Sequence, residues 1–319
     1  MYQRDNNIDY LRVLGTFLVM LAHVLPPVLI QNIRTFDVVM LVFISALSMN
    51  ITYSSSISFK SYLLKRIKRL YVPTAILLLF VFSISFITCA LSHRAQLFNL
   101  YTIIHSFLLL DDGLGYIWIT RVYLVIAVFS YFVMQIRDKL PYIIFIFFLL
   151  CLAIIILPLF YGESVAVDSY VIITCPYLLV SLIGILVANK KIDTRLILVV
   201  CAILVLAFSF YYGSFEPNSY KYPPSFYYLA YGLFCTLILR RVILPYSRTI
   251  EWLSKNSFNI YLIHIPILLS LSFLSEYYNV FDIWYIKYIV VCLLSVAIPY
   301  VYGNLKNKIY EYYKKTTDS

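Results

Sequence analysis

No acidic residue stands in the middle of any long apolar run of this chain, and glycine occurs only 8 times in 319 residues. Proton-coupled carriers usually place a carboxylate, or helices broken by glycine and proline, near the membrane midplane. The scarcity of both argues against that class, though not against a flippase. HExxH, GxSxG, a Walker loop and metal-spaced His/Cys clusters are also missing, and with them the common metalloprotease, esterase and nucleotide-binding signatures. The six cysteines (Cys89, Cys151, Cys175, Cys201, Cys235, Cys292) lie singly in or beside apolar segments, never as CxxC. They read as small packing residues, not metal ligands or a disulfide framework, and no metal is expected.

Charge is scarce as well. Only 13% of residues are charged and 62% are hydrophobic, and the mean hydropathy is +0.87. A soluble domain carries about 25% charged residues, so the composition is that of an integral membrane protein. No polar stretch holds an apolar pattern able to build a second core, which predicts one helical membrane domain over 1–319 and no soluble domain. The first ten residues are polar, and the apolar run from Leu11 lacks a small-residue cleavage site before its prolines. It is expected to remain as the first span and not to be removed as a leader.

Apolar runs bounded by charge or Pro/Gly clusters predict about ten transmembrane helices, near 11–30, 37–54, 70–91, 116–136, 142–160, 170–188, 195–212, 225–239, 257–275 and 286–303. The segment 100–110 is too short to cross and reads as re-entrant or interfacial. With the N-terminus cytosolic, the outer loops hold only Arg34, Arg94, Lys221 and Lys287 of the 25 basic residues, Arg121 falls inside a span, and all others face the cytosol. That satisfies the positive-inside rule and predicts both termini inside. The net charge of +10 is then a matter of topology, and no nucleic-acid partner is needed.

Ionisable residues inside spans are expensive and are candidates for function. Here they are His23, Arg121 and His264. Arg12 and His23 are eleven residues apart, about three turns plus 20°, so they share one helix face and are separated by about 16 Å. Asp9 lies beside Arg12 at the boundary. In SYLLKRIKRLYVP, residues 61–73, Arg66 and Arg69 form an i,i+3 pair beside Lys65 and Lys68. These four serve as positive-inside anchors, or the arginine forks and Lys65 hold a cytosolic phosphate-bearing ligand. GYIWITRVYL, residues 115–124, places Trp118 one turn from Arg121, at a depth near that of His23. Trp118 also suits an interfacial belt. In SKNSFNIYLIHIP, residues 254–266, Ser257, Tyr261 and His264 share a face, with His264 expected nearer the inner half and open to a structural or a chemical role. Asp111, Asp112, Glu163, Asp168 and Glu216 read as solvated loop carboxylates, with Asp111-Asp112-Gly113 a turn.

The order of these pieces resembles the acyltransferase-3 family of ten-span membrane acyltransferases that modify cell-surface carbohydrates. The elements are IDYLR…H in span one, FIS in span two, KRIKRLYVP entering span three, a tryptophan in span four and SFNIYLIH in span nine. The resemblance covers about residues 7 to 304, and the arginine and histidine eleven apart are its most specific element. It implies that Arg12 and His23 match the family's essential pair and Arg66 and Arg69 its cytosolic RxxR. It further implies acyl-CoA, usually acetyl-CoA, as donor and a glycan or lipid-linked sugar hydroxyl as acceptor, in a multi-pass protein of the plasma or inner membrane. Two departures stand out. The family's Ser-Gly in span two is Ser45-Ala46 here, which puts a tight backbone approach in doubt, and its Trp-Phe in span four is Trp118-Ile119. The esterase-like domain that some relatives carry is not expected here.

On that resemblance the expected mechanism has Lys65, Arg66 and Arg69, with Arg12, gripping the CoA head group while His23 acts as general base. Trp118, Arg121, Tyr261 and His264 are expected to contact the acceptor. A transporter or flippase for a polysaccharide precursor is the competing reading.

Overall fold

A computed structural model describes residues 5–52, 57–91, 96–110, 112–136, 139–161, 169–189 and 192–317, and among them every regular element is a helix. The first half comprises α1 Asn6–His23, α2 Val28–Arg34, α3 Asp37–Thr52, α4 Phe59–Arg66, α5 Val72–Leu91, α6 Leu100–Phe107 and α7 Trp118–Gln135. The second half comprises α8 Leu140–Tyr161, α9 Ser169–Ala188, α10 Thr194–Tyr212, α11 Phe226–Leu239, α12 Arg248–Ser275 and α13 Trp284–Thr317. The loop residues Arg4, Arg94, Asp111, Arg137, Glu163, Asp168, Lys190 and Lys191 lie outside the described residues.

Each stretch expected to span is helical over most of its length. Among the described residues, seven stretches are long and apolar enough to cross a membrane: 28–49, 59–91, 115–135, 171–188, 194–212, 248–275 and 284–306. Pro141–Leu152 of α8 and α11 are shorter apolar helices, and α1 carries Asp9 and Arg12 in its first half.

Local chemistry sets several boundaries. Asp5 caps α1, its carboxylate accepting from the Asn7 N–H at 3.0 Å. The same helix stops at His23, well short of the expected 30. Pro26 and Pro27 follow, and a residue before proline is pushed out of the helical region; Leu25 takes φ 53°. His23 is therefore the last residue of α1, not a residue in mid-span. The basic segment shows the opposite change. It is helical from Phe59, and α4 runs through a π-helical segment, Ile67–Tyr71, into α5. Arg69 sits in that segment, a local widening often found at functional sites. α6 has eight residues, about 12 Å of helix, and is capped by Asn99 on the Thr102 N–H.

α3 is the centre of the bundle. Its first half, VVMLVFI, is apolar all round, and Val39, Met40, Val42, Phe43 and Ile44 are all 0% exposed. α1, α9 and α11 pack around it. Neighbouring lipid is as apolar as these side chains, so close packing decides such contacts. Gly184 of α9 lies so near α3 that an added Cβ would meet the Phe43 carbonyl oxygen at 2.9 Å and the Ala46 Cβ at 3.0 Å. The tight approach that Ser45-Ala46 put in doubt is therefore present, with the glycine contributed by the facing helix. α10 and α13 turn rows of leucine, isoleucine and valine outward, as lipid-facing helices do.

Gly232 of α11 is tighter still, since an added Cβ would fall 2.4 Å from Val39 Cβ. Gly232→Ala is expected to lower stability by roughly 1–3 kcal/mol through overpacking. Gly303→Ala, inside α13 where an added Cβ meets nothing within 4 Å, is expected to leave stability the same or raise it by up to about 1 kcal/mol through helix propensity. Thermal unfolding of the two variants in detergent checks the pair.

Candidate active site

α1 and α12 run side by side in the same direction, tied at two points. At the first, the Arg12 guanidinium donates to Ser254 Oγ at 3.0 Å and to Ser48 Oγ of α3 at 2.8 Å. Ser254 in turn donates to Asp9 Oδ1 at 2.6 Å, and Arg12 Nη1 lies 3.8 Å from that oxygen. Asp9 and Ser254 are buried. At the second tie, His23 Nδ1 lies 2.8 Å from His264 Nε2, with the rings parallel to within 6°. Eleven residues separate the ties on α1 and ten on α12, about 16 Å and 15 Å, so the helices stay in step.

His264 therefore sits at the depth of His23, not nearer the Arg12 end as the sequence suggests. The reason is helix length: α12 begins at Arg248, not at Ser257, and rises about 24 Å before His264.

The hydrogen bonds assign the protons in the dyad. His264 Nδ1 contacts the Tyr261 carbonyl oxygen, which only accepts, so Nδ1 carries the hydrogen. In the neutral ring Nε2 is then bare and accepts from His23 Nδ1–H. That leaves His23 Nε2 as the basic nitrogen of the pair. The Tyr116 ring stands edge-on to His23 at 5.0 Å, and the Tyr261 hydroxyl bonds the Tyr116 carbonyl. Tyr261 thus orders both neighbours of His23.

A cavity of about 560 Å³ starts at the Arg12 tie. Asp5, Asp9, Arg12, Arg66, Arg69 and Lys255 supply its charged wall, and Ile119, Tyr123, Phe258 and Tyr261 its aromatic and aliphatic wall. Among the described residues, Lys255 is paired with Glu251 at 2.6 Å, so four cations meet three carboxylates, an excess that favours an anionic occupant. Ser257 and Tyr261 line it from α12, and one turn past Tyr261 stands His264. The cavity therefore leads from the arginines toward the dyad. Arg66 is further supported by the Tyr62 ring, 5.0 Å from its guanidinium carbon. Lys65 is exposed and is not among the lining residues.

Trp118 and Arg121 lie outside that lining. Trp118 packs against Tyr177 at 5.9 Å and Tyr222 at 5.7 Å. Arg121 is buried and donates to the Leu109 carbonyl at 3.1 Å. It holds the turn that leads to Tyr116, and through it bears on the neighbour of His23.

Several residues at the site were not singled out from the sequence. Ser48 and Ser254 carry no pattern of their own, and only the fold shows that they receive Arg12. Arg34 and Lys221 read as loop charges, yet both are buried with Asp37: Arg34 Nη1 is 2.6 Å and Lys221 Nζ 3.7 Å from its carboxylate. The opposite charges of Arg34 and Asp37 at i,i+3 were the available signal.

A family model described as an acyltransferase domain matches residues 5–303. No curated protein and no solved structure matches the chain.

Ser254→Ala removes both the donor to Asp9 and the acceptor for Arg12. It is expected to cost about 1–3 kcal/mol, the usual penalty for stranding a buried polar group. Urea or thermal unfolding in detergent measures it.

Proposed function

The chain belongs to the acyltransferase-3 family over nearly its whole length, and from that premise we propose that this membrane acyltransferase is an O-acetyltransferase. It moves an acetyl group from cytosolic acetyl-CoA to a hydroxyl of a cell-surface or lipid-linked glycan, in the plasma or inner membrane. The observation that carries this reading is the cavity with three arginines at one end and Tyr261, next to the histidine dyad, at the other.

With the Arg12 end facing the cytosol, Arg66 and Arg69 bind the CoA phosphates, and Arg12, fixed by Ser48 and Ser254, sits deeper. The pantetheine arm follows the apolar wall, and its thioester reaches the His23 end. His23 Nε2 takes the proton from the acceptor hydroxyl as that oxygen attacks the thioester carbonyl. The C–S bond then breaks, and the CoA sulfur leaves with the proton from His23. His264 is a positioning residue that holds His23 in the tautomer with a bare Nε2. A flippase for a lipid-linked sugar also has use for phosphate-binding arginines but none for a general base beside them, so it is the second reading. The direct test compares the acetyl content of surface glycan, by mass spectrometry and NMR, in cells with and without the protein. Equal acetylation sinks the proposal.

Two further outcomes follow from the roles assigned. Arg66→Ala and Arg69→Ala are each expected to weaken acetyl-CoA binding roughly 10- to 100-fold, as loss of a charge-assisted hydrogen bond does. Lys65→Ala should weaken it less, and calorimetry with purified protein distinguishes them. His264→Ala should lower kcat about 100-fold at unchanged acetyl-CoA affinity. His264→Asn, which can both accept from His23 and donate to the Tyr261 carbonyl, should recover part of that loss; a merely structural His264 would show no such split.

A further inference from the structure

Beyond the His23 end of α1, two cations share one carboxylate. Asp37 is 0% exposed, Arg34 5% and Lys221 6%, so the group is buried with one positive charge in excess. Its remaining contacts are neutral: Arg34 Nη2 donates to Asn218 Oδ1 at 3.3 Å, and Asp37 Oδ1 accepts the Val38 N–H. The Arg34 Nε–H is buried without a hydrogen-bond partner. Burial depresses the Lys221 ammonium below its ordinary range; Asp37 works against that and Arg34 with it. Buried cations are normally matched by anions, and a half-matched cluster costs stability. Among the described residues Asp37 is the one carboxylate that meets these two cations.

Its surroundings point to a sugar. Lys221 Nζ lies 5.5 Å from the Tyr222 ring centre, and Tyr222 meets Trp118 edge to face at 5.7 Å. Tyr222 is 56% exposed, so the cluster lies beneath an open aromatic surface. Trp118 follows by two residues Tyr116, whose ring stands edge-on to His23 at 5.0 Å, which puts this surface next to the dyad. The donor cavity, by contrast, begins at the other end of α1, lined by neither Arg34 nor Lys221.

We propose that Arg34 and Lys221, under Trp118 and Tyr222, form the acceptor site and select a sugar with an anionic group, carboxylate or phosphate, near the hydroxyl that is acylated. The anion supplies the missing negative charge and ties the sugar beside His23, while the aromatic pair covers its apolar face. This rests on the reading of His23 as the base.

The test uses the purified full chain in phosphatidylcholine nanodiscs, with glucuronate, glucose 1-phosphate and glucose as probes and binding read by calorimetry. The two anionic probes are expected to bind about tenfold more tightly than glucose, one charge-assisted contact's worth. Lys221→Met should erase that advantage and Lys221→Arg keep it, with acetyl-CoA affinity the same in both. The proposal is overturned if the three probes bind alike, if none binds, or if Lys221→Met retains the preference. It is equally overturned if phosphatidylglycerol in the discs, and no sugar, responds to Lys221, since the occupant is then a lipid headgroup. Loss of acetyl-CoA binding in the unaltered protein would instead sink the transferase reading and leave the anion preference standing.

Discussion

A polar side chain inside a membrane bundle has no water to turn to and must find its partner on another helix. That requirement builds the seam between α1 and α12. Arg12 is received by Ser254 and Ser48, Asp9 by Ser254, and His23 by His264. None of these contacts gains from the hydrophobic effect, so the two ties and the close packing on α3 bring the helices into register. Once in register, they present an arginine at one level and a histidine pair about 15 Å away on the same side. The cavity occupies the space that this spacing leaves between α1, α3, α7 and α12.

Charge is divided along that axis in a way stability alone does not favour. At the Arg12 end, cations from α1, α4, the π segment and α12 exceed the carboxylates they face. At the other end Arg34 and Lys221 exceed Asp37. Like charges held close in a low-dielectric interior are a cost that the fold carries in the absence of ligand. The dyad between them is hydrogen-bonded through both Nδ1 atoms, which in the proposed mechanism leaves one nitrogen for chemistry. Two anion-favouring ends and a base between them suit a reaction in which donor and acceptor arrive from opposite directions.

Much of this was legible in the sequence because helical periodicity is a local property. The co-facial placement of Arg12 and His23 needs only 100° per residue, and the helix positions follow from runs of apolar residues. What was illegible depends on neighbours. The end of α1 at His23 was readable from Pro26-Pro27 but was outweighed by the apolar run that continues past them. The early start of α12 at Arg248 moved His264 onto His23, because a polar first turn hides a helix from hydropathy. Arg34 and Lys221 lie 187 positions apart and meet only through Asp37. Gly184 substitutes on α9 for a glycine that Ala46 denies to α3, an exchange that no single segment reveals.

The central claim is that the cavity holds the donor while His23 performs the transfer, so gripping and reacting are separable. The most direct measurement places purified His23→Ala beside the unaltered protein, with isotope-labelled acetyl-CoA and glycan extracted from cells lacking the protein. Both should bind acetyl-CoA equally, since His23 is not among the cavity-lining residues. Label in the glycan should fall at least about 100-fold in the variant, the usual contribution of a general base. Undiminished transfer by His23→Ala would contradict the account.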